Sequence, residues 1–386
     1  MAAARNLEFF RATVRHPWEA AKKWKEKTGG AVVGWLPADV PEELVMAAGA
    51  LPVGVIGSEA TVRLADAHLP VWACSFARTS LELDLRGELG FLDGLILPYT
   101  CDTLRLLAGI WGHLRPELRV HPYLLAHQHR PSAAEFVRTE MERLKRALQR
   151  LTGQEITPER LAAAAELVER TRNLLARLYA YHRRFPERLT NSDLFALLRA
   201  ATLLPKEELL EGLLRLVREL GLEEEEEGAR TGLPGPEGLY RVILSGSLAP
   251  PVVFGILEQA GLVVVGDDLH HGQRYLYPLP PGSDPFERLV LRQLALPPTG
   301  YHSPPQANRP GYLVQRAREL QAQGVIFLHL RFCEPENYDY YQLSQALERE
   351  NIPCLRLETD LQASAIGQIR TRLEAFAEML GGEYHA

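Results

Sequence analysis

The stretch DGLILPYTCDTLR (residues 93–105) changes character at its centre. Its first half is a short apolar run with a strand-like composition, and its second half, from Asp102, opens a helical pattern. Between them stands Cys101, at the tip of a predicted buried strand. Strand, polar tip and helix make one step of an α/β fold, and the steps on either side repeat it.

Upstream, AVVGWLP (31–37) and LPVGVIG (51–57) read as strands around the helix PEELVMAAG (41–49), in which Pro41 sits early, where a missing N–H costs little. SFARTSLELDLRGEL (75–89) reads as a helix, and downstream RVHPYLL (119–125) is a further strand. Short apolar strands alternating with helices predict a parallel sheet covered on both faces. Residues 5–28 carry apolar positions near helical spacing and are expected to form one N-terminal helix, ended by Gly29-Gly30.

Residues 131–222 are helical throughout, with capping signals at Thr157-Pro158-Glu159 and Asn191-Ser192-Asp193. The acidic, then Gly- and Pro-containing run 223–238 reads as a solvated linker. A second βα series follows: strands in 239–247, 262–268, GVIFLHL (324–330) and PCLRLETD (353–360), with helices between and after them. The expected architecture is α/β, with two Rossmann- or flavodoxin-like parallel-sheet lobes. Residues 1–130 form the first lobe with its N-terminal helix, 131–222 a helical insert, 223–238 a linker and 239–386 the second lobe.

A chain of 386 residues exceeds one ordinary core, and 46% hydrophobic and 24% charged residues are normal for a globular protein. The net charge of −6 offers no basic footprint for nucleic acid. No apolar run reaches the roughly 18 residues of a membrane span, and the first residues lack the apolar core of a signal peptide. A cytoplasmic protein is expected, without nucleic-acid or membrane partners.

There are four cysteines. Cys101 follows a strand of the first lobe, Cys333 follows GVIFLHL in the second, and Cys74 heads a helix. Ligands of open α/β sheets sit beyond the carboxyl ends of the strands, and helix N-termini favour thiolates. Cys354, at the start of a strand and so at the opposite edge, reads as a core residue. The spacing fits neither the paired ligands of a structural zinc site nor a ferredoxin run. It is compatible with three thiolates on one [4Fe–4S] cluster with one iron left open, but spacing alone does not select iron.

Seven blocks carry a resemblance: VPEELVMAAGALPV (40–53), ACSFART (73–79), DGLILPYTCDTLR (93–105), VILSGS (242–247), VVGDDLHHGQRY (264–275), GVIFLHLRFCEPENYDY (324–340) and IPCLRLETDLQASAIGQIRTRLEAFAEML (352–380). In this order they resemble the cluster-carrying catalytic subunits of the 2-hydroxyacyl-CoA dehydratase / benzoyl-CoA reductase family, with PYTCDTLR nearest the benzoyl-CoA reductase branch. The resemblance implies a [4Fe–4S] cluster on Cys74, Cys101 and Cys333 and a homologous second cluster subunit. It also implies an ATP-hydrolysing iron–sulfur activator and one-electron chemistry on an acyl-CoA thioester. In keeping with an external activator, no GxxxxGK[ST] phosphate loop is present. Where several relatives carry a further cysteine, this chain has His270, which reads as a fourth iron ligand or as a hydrogen-bonding loop histidine.

Other candidates each have two readings. Thr100, Asp102 and Arg331 flank the expected ligands and would tune a cluster, while Asp102 is also a natural N-cap. Glu43 is a proton donor or a helix-dipole carboxylate. Ser247, in the turn Ser245-Gly246-Ser247, Asp268, beside Asp267, and Arg372, near Gln368 and Arg370, are substrate-binding candidates. Their alternative roles are loop hydrogen bonding and surface ion pairing. At the level of the whole chain, two further functions stay open. One is a non-catalytic electron-relay or structural subunit of the same complex; the other is a two-lobed small-ligand binding protein.

Overall fold

The computed structural model describes residues 5–382 apart from 37, 129, 223–237, 304–307 and 362–365, so the predicted linker lies outside the described residues except for Gly238. The N-terminal segment is two helices rather than one, α1 (Arg5–Arg15) and α2 (Glu19–Thr28). Pro17 separates them: it has no N–H for the helical ladder and pushes the preceding residue out of helical geometry. Gly29 ends α2 at φ +66°, in the left-handed region that favours glycine.

The first sheet is built from β1 (Val32–Trp35), α3 (Glu42–Ala47), β2 (Leu51–Gly54), α4 (Ser75–Leu85), β3 (Gly94–Tyr99), α5 (Asp102–Leu114) and β4 (Arg119–Leu124). Its strands are all parallel, in the order β2-β1-β3-β4. The helices α6 (Ala133–Thr152), α7 (Pro158–Arg184), α8 (Asn191–Ala201) and α9 (Lys206–Glu219) follow. Thr157 and Thr190 cap α7 and α8 through their side chains, the latter in a full capping box with Asp193. The second sheet comprises β5 (Tyr240–Gly246), α10 (Pro251–Gln259), β6 (Leu262–Asp267), α11 (Pro285–Ala295), α12 (Arg309–Glu319), β7 (Gly324–Leu330), α13 (Glu334–Arg349), β8 (Cys354–Thr359) and α14 (Ile366–Gly381). Its order, β6-β5-β7-β8, repeats the first permutation, again all parallel.

The two-lobe α/β expectation therefore holds, and so does its physical basis. The inner strands β1 and β7 are buried at every residue, as their unbroken apolar runs require. The sequence reading passed over α11. Its signal was local: Asp284 accepts hydrogen bonds from the Phe286 and Glu287 N–H groups, just ahead of Pro285. This helix packs Leu289 and Val290 into a core shared with Val33 of β1 and Leu144 of α6. Leu248, Leu330 and Leu361 of the second half likewise join the core of the first sheet. The lobes thus share apolar cores instead of facing each other across an open gap. Among the described residues, no helix is long and apolar enough to cross a membrane.

In both sheets the chain runs from the first strand to an outer neighbour, then returns past the first strand to the third. Such a switch point opens a crevice at the carboxyl edge between first and third strands. Cys101 and Cys333 stand just beyond the third strands, β3 and β7. Cys354 begins β8 at the other edge, where it is half-buried against the core containing Val325 and Leu347.

Candidate metal centre

Each of the three cysteines is the N-cap of a helix: Cys74 of α4, Cys101 of α5 and Cys333 of α13. All three have extended backbone, so the chain turns into the helix at the thiol. A helix start offers N–H groups without backbone partners and a partial positive charge, and both suit a thiolate. One cavity is lined by all three thiols, together with Thr100, Ser247, His270 and Tyr301. The sequence placed Cys101 and Cys333 at equivalent strand ends; the structure has these ends and the head of α4 line one cavity.

Burial dominates the thiols' titration. It pushes Cys74 up to about 11 and raises Cys101 and Cys333 as well, against the pull of first-turn backbone N–H groups. Among the described residues, no lysine or arginine lines the cavity. Three neutral thiols around a cavity without a cation form a donor set that a positive metal centre would ionise. Among the described residues, no three His, Cys, Asp or Glu side chains are close enough to share one ion. A cluster presents a separate iron to each thiolate and needs no such convergence. Three thiols carried by separate helix starts are the donor type that an iron–sulfur cluster takes.

His270 also lines the cavity, and its tautomer follows from its neighbours. Burial drives its pKa down to about 3, so the ring is neutral. Arg274 donates to both carboxylate oxygens of Asp39, at 2.8 and 2.7 Å. Burial would raise the Asp39 carboxyl, but Arg274 outweighs it and holds the pKa at about 2. The ionised Asp39 can only accept, so the Tyr301 hydroxyl donates to it across 3.2 Å. That hydroxyl then accepts from His270 Nδ1–H, also at 3.2 Å. The lone pair is left on Nε2, the tautomer a metal-binding imidazole needs.

The other sequence candidates separate by depth. Ser247 reaches the cysteines: its Oγ lies 3.2 Å from Cys333 Sγ. The Thr100 side chain lowers the Cys101 pKa by hydrogen bonding, against the larger effect of burial. Asp268 is one layer behind, buried, accepting from the Ser245 hydroxyl at 3.0 Å and Gly246 N–H at 2.8 Å and pairing with Arg309 at 3.2 Å. Asp102 is the first residue of α5 and not its N-cap, a place taken by Cys101. It lines an adjoining groove of about 720 Å³ with Arg105, His127 and Tyr338.

Glu43 is not at the cavity. It is fully buried, 2.6 Å from Arg172, and although burial opposes ionisation, Arg172 and Arg292 keep its pKa lowered. That makes it the anion of an internal ion pair and a poor proton donor. Arg331 stands half-exposed beside Glu358 at 3.1 Å. Arg372, with Gln368 and Arg370, lies exposed on α14 and does not line the cavity.

Sequence reasoning missed Asp39, Arg274 and Tyr301, and also Arg309 and Glu336, which pair at 2.6 Å behind Cys333. Arg274 lay inside the block VVGDDLHHGQRY, which was the available signal. Asp39 gives none of this kind. Its backbone is left-handed, at φ +51°, and its partner is 235 residues away.

A family model described as 2-hydroxyglutaryl-CoA dehydratase, D-component, matches residues 37–380. The (R)-phenyllactyl-CoA dehydratase beta subunit of Clostridium sporogenes is 30% identical over 374 residues, 96% of this chain and 97% of that one. The (R)-2-hydroxyglutaryl-CoA dehydratase subunit beta of Acidaminococcus fermentans is 28% identical, over 98% of this chain and 100% of its own. A benzoyl-CoA reductase subunit of Thauera aromatica is 26% identical, over 94% of each chain. The expected leaning toward the benzoyl-CoA reductase branch is thus not upheld, since the phenyllactyl-CoA dehydratase subunit is the more similar. These relatives are subunits, parts of heteromeric enzymes acting on acyl-CoA thioesters.

Proposed function

The chain belongs to the family of 2-hydroxyglutaryl-CoA dehydratase D-components, and from that premise we propose that it is the [4Fe–4S] subunit of a radical-type acyl-CoA dehydratase or reductase. The observation that carries the reading is the meeting of Cys74, Cys101 and Cys333, from three helix starts and both sheets, in one cavity. When bound, a cluster there supplies single electrons of low potential and a Lewis-acidic iron. The cysteines hold it, and the apolar residues Phe76, Leu104, Leu248 and Leu330 around them exclude water. Removing the elements of water from a 2-hydroxyacyl thioester, with its unactivated β-hydrogen, is the difficult reaction this equipment suits. The adjoining groove, sharing Thr100, Cys101 and Tyr301 with the cavity, is of a size for the acyl end of a CoA thioester.

The test is anaerobic purification or reconstitution. About four irons and four sulfides per chain are expected; a protein that stays colourless after reconstitution overturns the reading.

A second reading is favoured by one observation. If His270 Nε2 occupies the fourth iron, no open coordination site remains. The chain then relays electrons to a companion subunit that holds the substrate. Cluster spectra of His270→Ala separate the two: altered spectra assign the relay role, unaltered spectra the substrate-binding one. The two-lobed ligand binder is set aside because the relatives match along almost the whole chain and are enzyme subunits.

The companion subunit has a candidate seat. Exposed large apolar side chains gather on the cysteine-bearing segments: Val71 and Trp72 just before Cys74, Leu106 after Cys101, Phe332 before Cys333, and Tyr338 and Tyr341 on α13. Exposed apolar side chains, where they join into a patch, are the material of an interaction surface. We read this face as the seat of the homologous second subunit, with an ATP-hydrolysing activator as the external electron source. Trp72→Glu with Tyr338→Glu, both exposed, is expected to lower co-purification of the second subunit at least tenfold while leaving the iron content of this chain unchanged. An intact complex would reject this face as the interface.

A further inference from the structure

Ser245 and Gly246 end β5 at the carboxyl edge of the second sheet, and Ser247 follows them, where substrate binding was one expectation. The groups of this turn are committed elsewhere. The Ser245 hydroxyl and the Gly246 N–H both donate to Asp268, at 3.0 and 2.8 Å. Asp268 is fixed in turn by Arg309, which also holds Glu336 and Asp339. Gly246 has φ +154°, and a Cβ there would collide with the carbonyl oxygen of Leu328 on β7, so the turn lies against that strand with no room to shift. The Ser247 carbonyl accepts from His270 N–H at 3.0 Å. Its side chain therefore leaves a rigid backbone, and it ends 3.2 Å from Cys333 Sγ.

We propose that the Ser247 hydroxyl donates a hydrogen bond to the Cys333 sulfur and thereby sets the reduction potential of the bound cluster, with Asp268 as the residue that positions the turn. The inference rests on the cluster reading above. In a ligated cysteine the sulfur has no proton and can only accept, so the hydroxyl must be the donor. A donor to a thiolate stabilises the state with more negative charge, which is the reduced one, and so raises the potential. The thiols differ in this respect: the Ser247 hydroxyl lies against Cys333 Sγ, and the Thr100 side chain acts on Cys101.

The test is a redox titration of the reconstituted chain, followed by electron paramagnetic resonance, with iron content measured in parallel. Ser247→Ala keeps the backbone bond to His270 and loses only the hydroxyl. It is expected to load iron as the parent does and to shift the couple to lower potential. At a fixed applied potential the reduced-to-oxidised ratio should fall about tenfold, which is 59 mV for a one-electron couple. Ser247→Thr, which retains the hydroxyl, should restore the parental value. An unchanged potential in a fully loaded Ser247→Ala protein overturns the proposal and leaves the cluster reading standing. If Ser247→Ala folds but loads no iron, restored loading and parental potential in Ser247→Thr support the hydroxyl's role, while loss in both variants overturns it. A parent chain that never binds iron overturns both readings together.

Discussion

Cys333→Ala, and equally Cys74→Ala or Cys101→Ala, is expected to give a folded chain with less than about one iron in place of about four and at least a hundredfold less activity in the assembled enzyme. Each cysteine stands at the N-cap of its helix with no side-chain cap hydrogen bond, so alanine removes no cap interaction. The lost packing is one small sulfur, costing on the order of 1 kcal/mol in a core of this size. Loss of iron is therefore separable from loss of fold. The internal control is Cys354→Ala: that thiol lies at the other sheet edge, and its variant should load iron normally. Iron and sulfide assays with circular dichroism check the set. A Cys101→Ala protein that keeps its full cluster would remove that residue from the ligand set.

The strands and most helices were legible because their signals are local. An apolar run bounded by breakers and a helix opening with Pro, Thr or Asn need no distant partner. The same locality exposed the cysteines, since the end of a strand and the head of a helix can be read along the chain. What escaped depends on distance or direction. Ser247 was visible as part of a Gly/Ser turn, but which way its hydroxyl faces is set by Asp268, which anchors the turn, and by β7, packed against it. Arg172 and Glu43 pair across 129 residues, so Glu43 could not be told from a free carboxylate at a helix start. Pro17 was visible, yet the even apolar spacing on both sides of it suggested one helix where there are two. Family resemblance marked whole blocks, and the structure separates the thiols, hydroxyls and buried carboxylates within them.

Asp39→Asn is expected to destabilise the chain by about 3–5 kcal/mol, the cost of leaving a buried guanidinium without its counter-ion. Asp39 and Arg274 are each about 3% exposed and meet through two hydrogen bonds, tying the segment after β1 to the segment after β6. Arg274→Met alone should cost a similar amount, because it strands the carboxylate. The double variant should cost less than the two single changes together, since neither charge is then left buried alone. The pair also fixes an acid limb. The pKa of Asp39 is held near 2 in the folded chain, against roughly 3.9 when unfolded. A depressed carboxyl contributes its stability above the unfolded value and loses it as pH falls through the folded one. The contribution is about 2–3 kcal/mol, lost mainly between about pH 4 and pH 2. Denaturant unfolding of the iron-free chain across that range should show this slope in the parent and its loss in Asp39→Asn; identical slopes would reject the assignment. The consequence reaches the cysteine-lined cavity because Asp39 makes the Tyr301 hydroxyl an acceptor for His270. Asparagine can donate to that hydroxyl instead of accepting from it, which frees His270 to take the other tautomer. If His270 is an iron ligand, Asp39→Asn should therefore alter the cluster spectra in the same sense as His270→Ala, from a residue that touches neither iron nor sulfur.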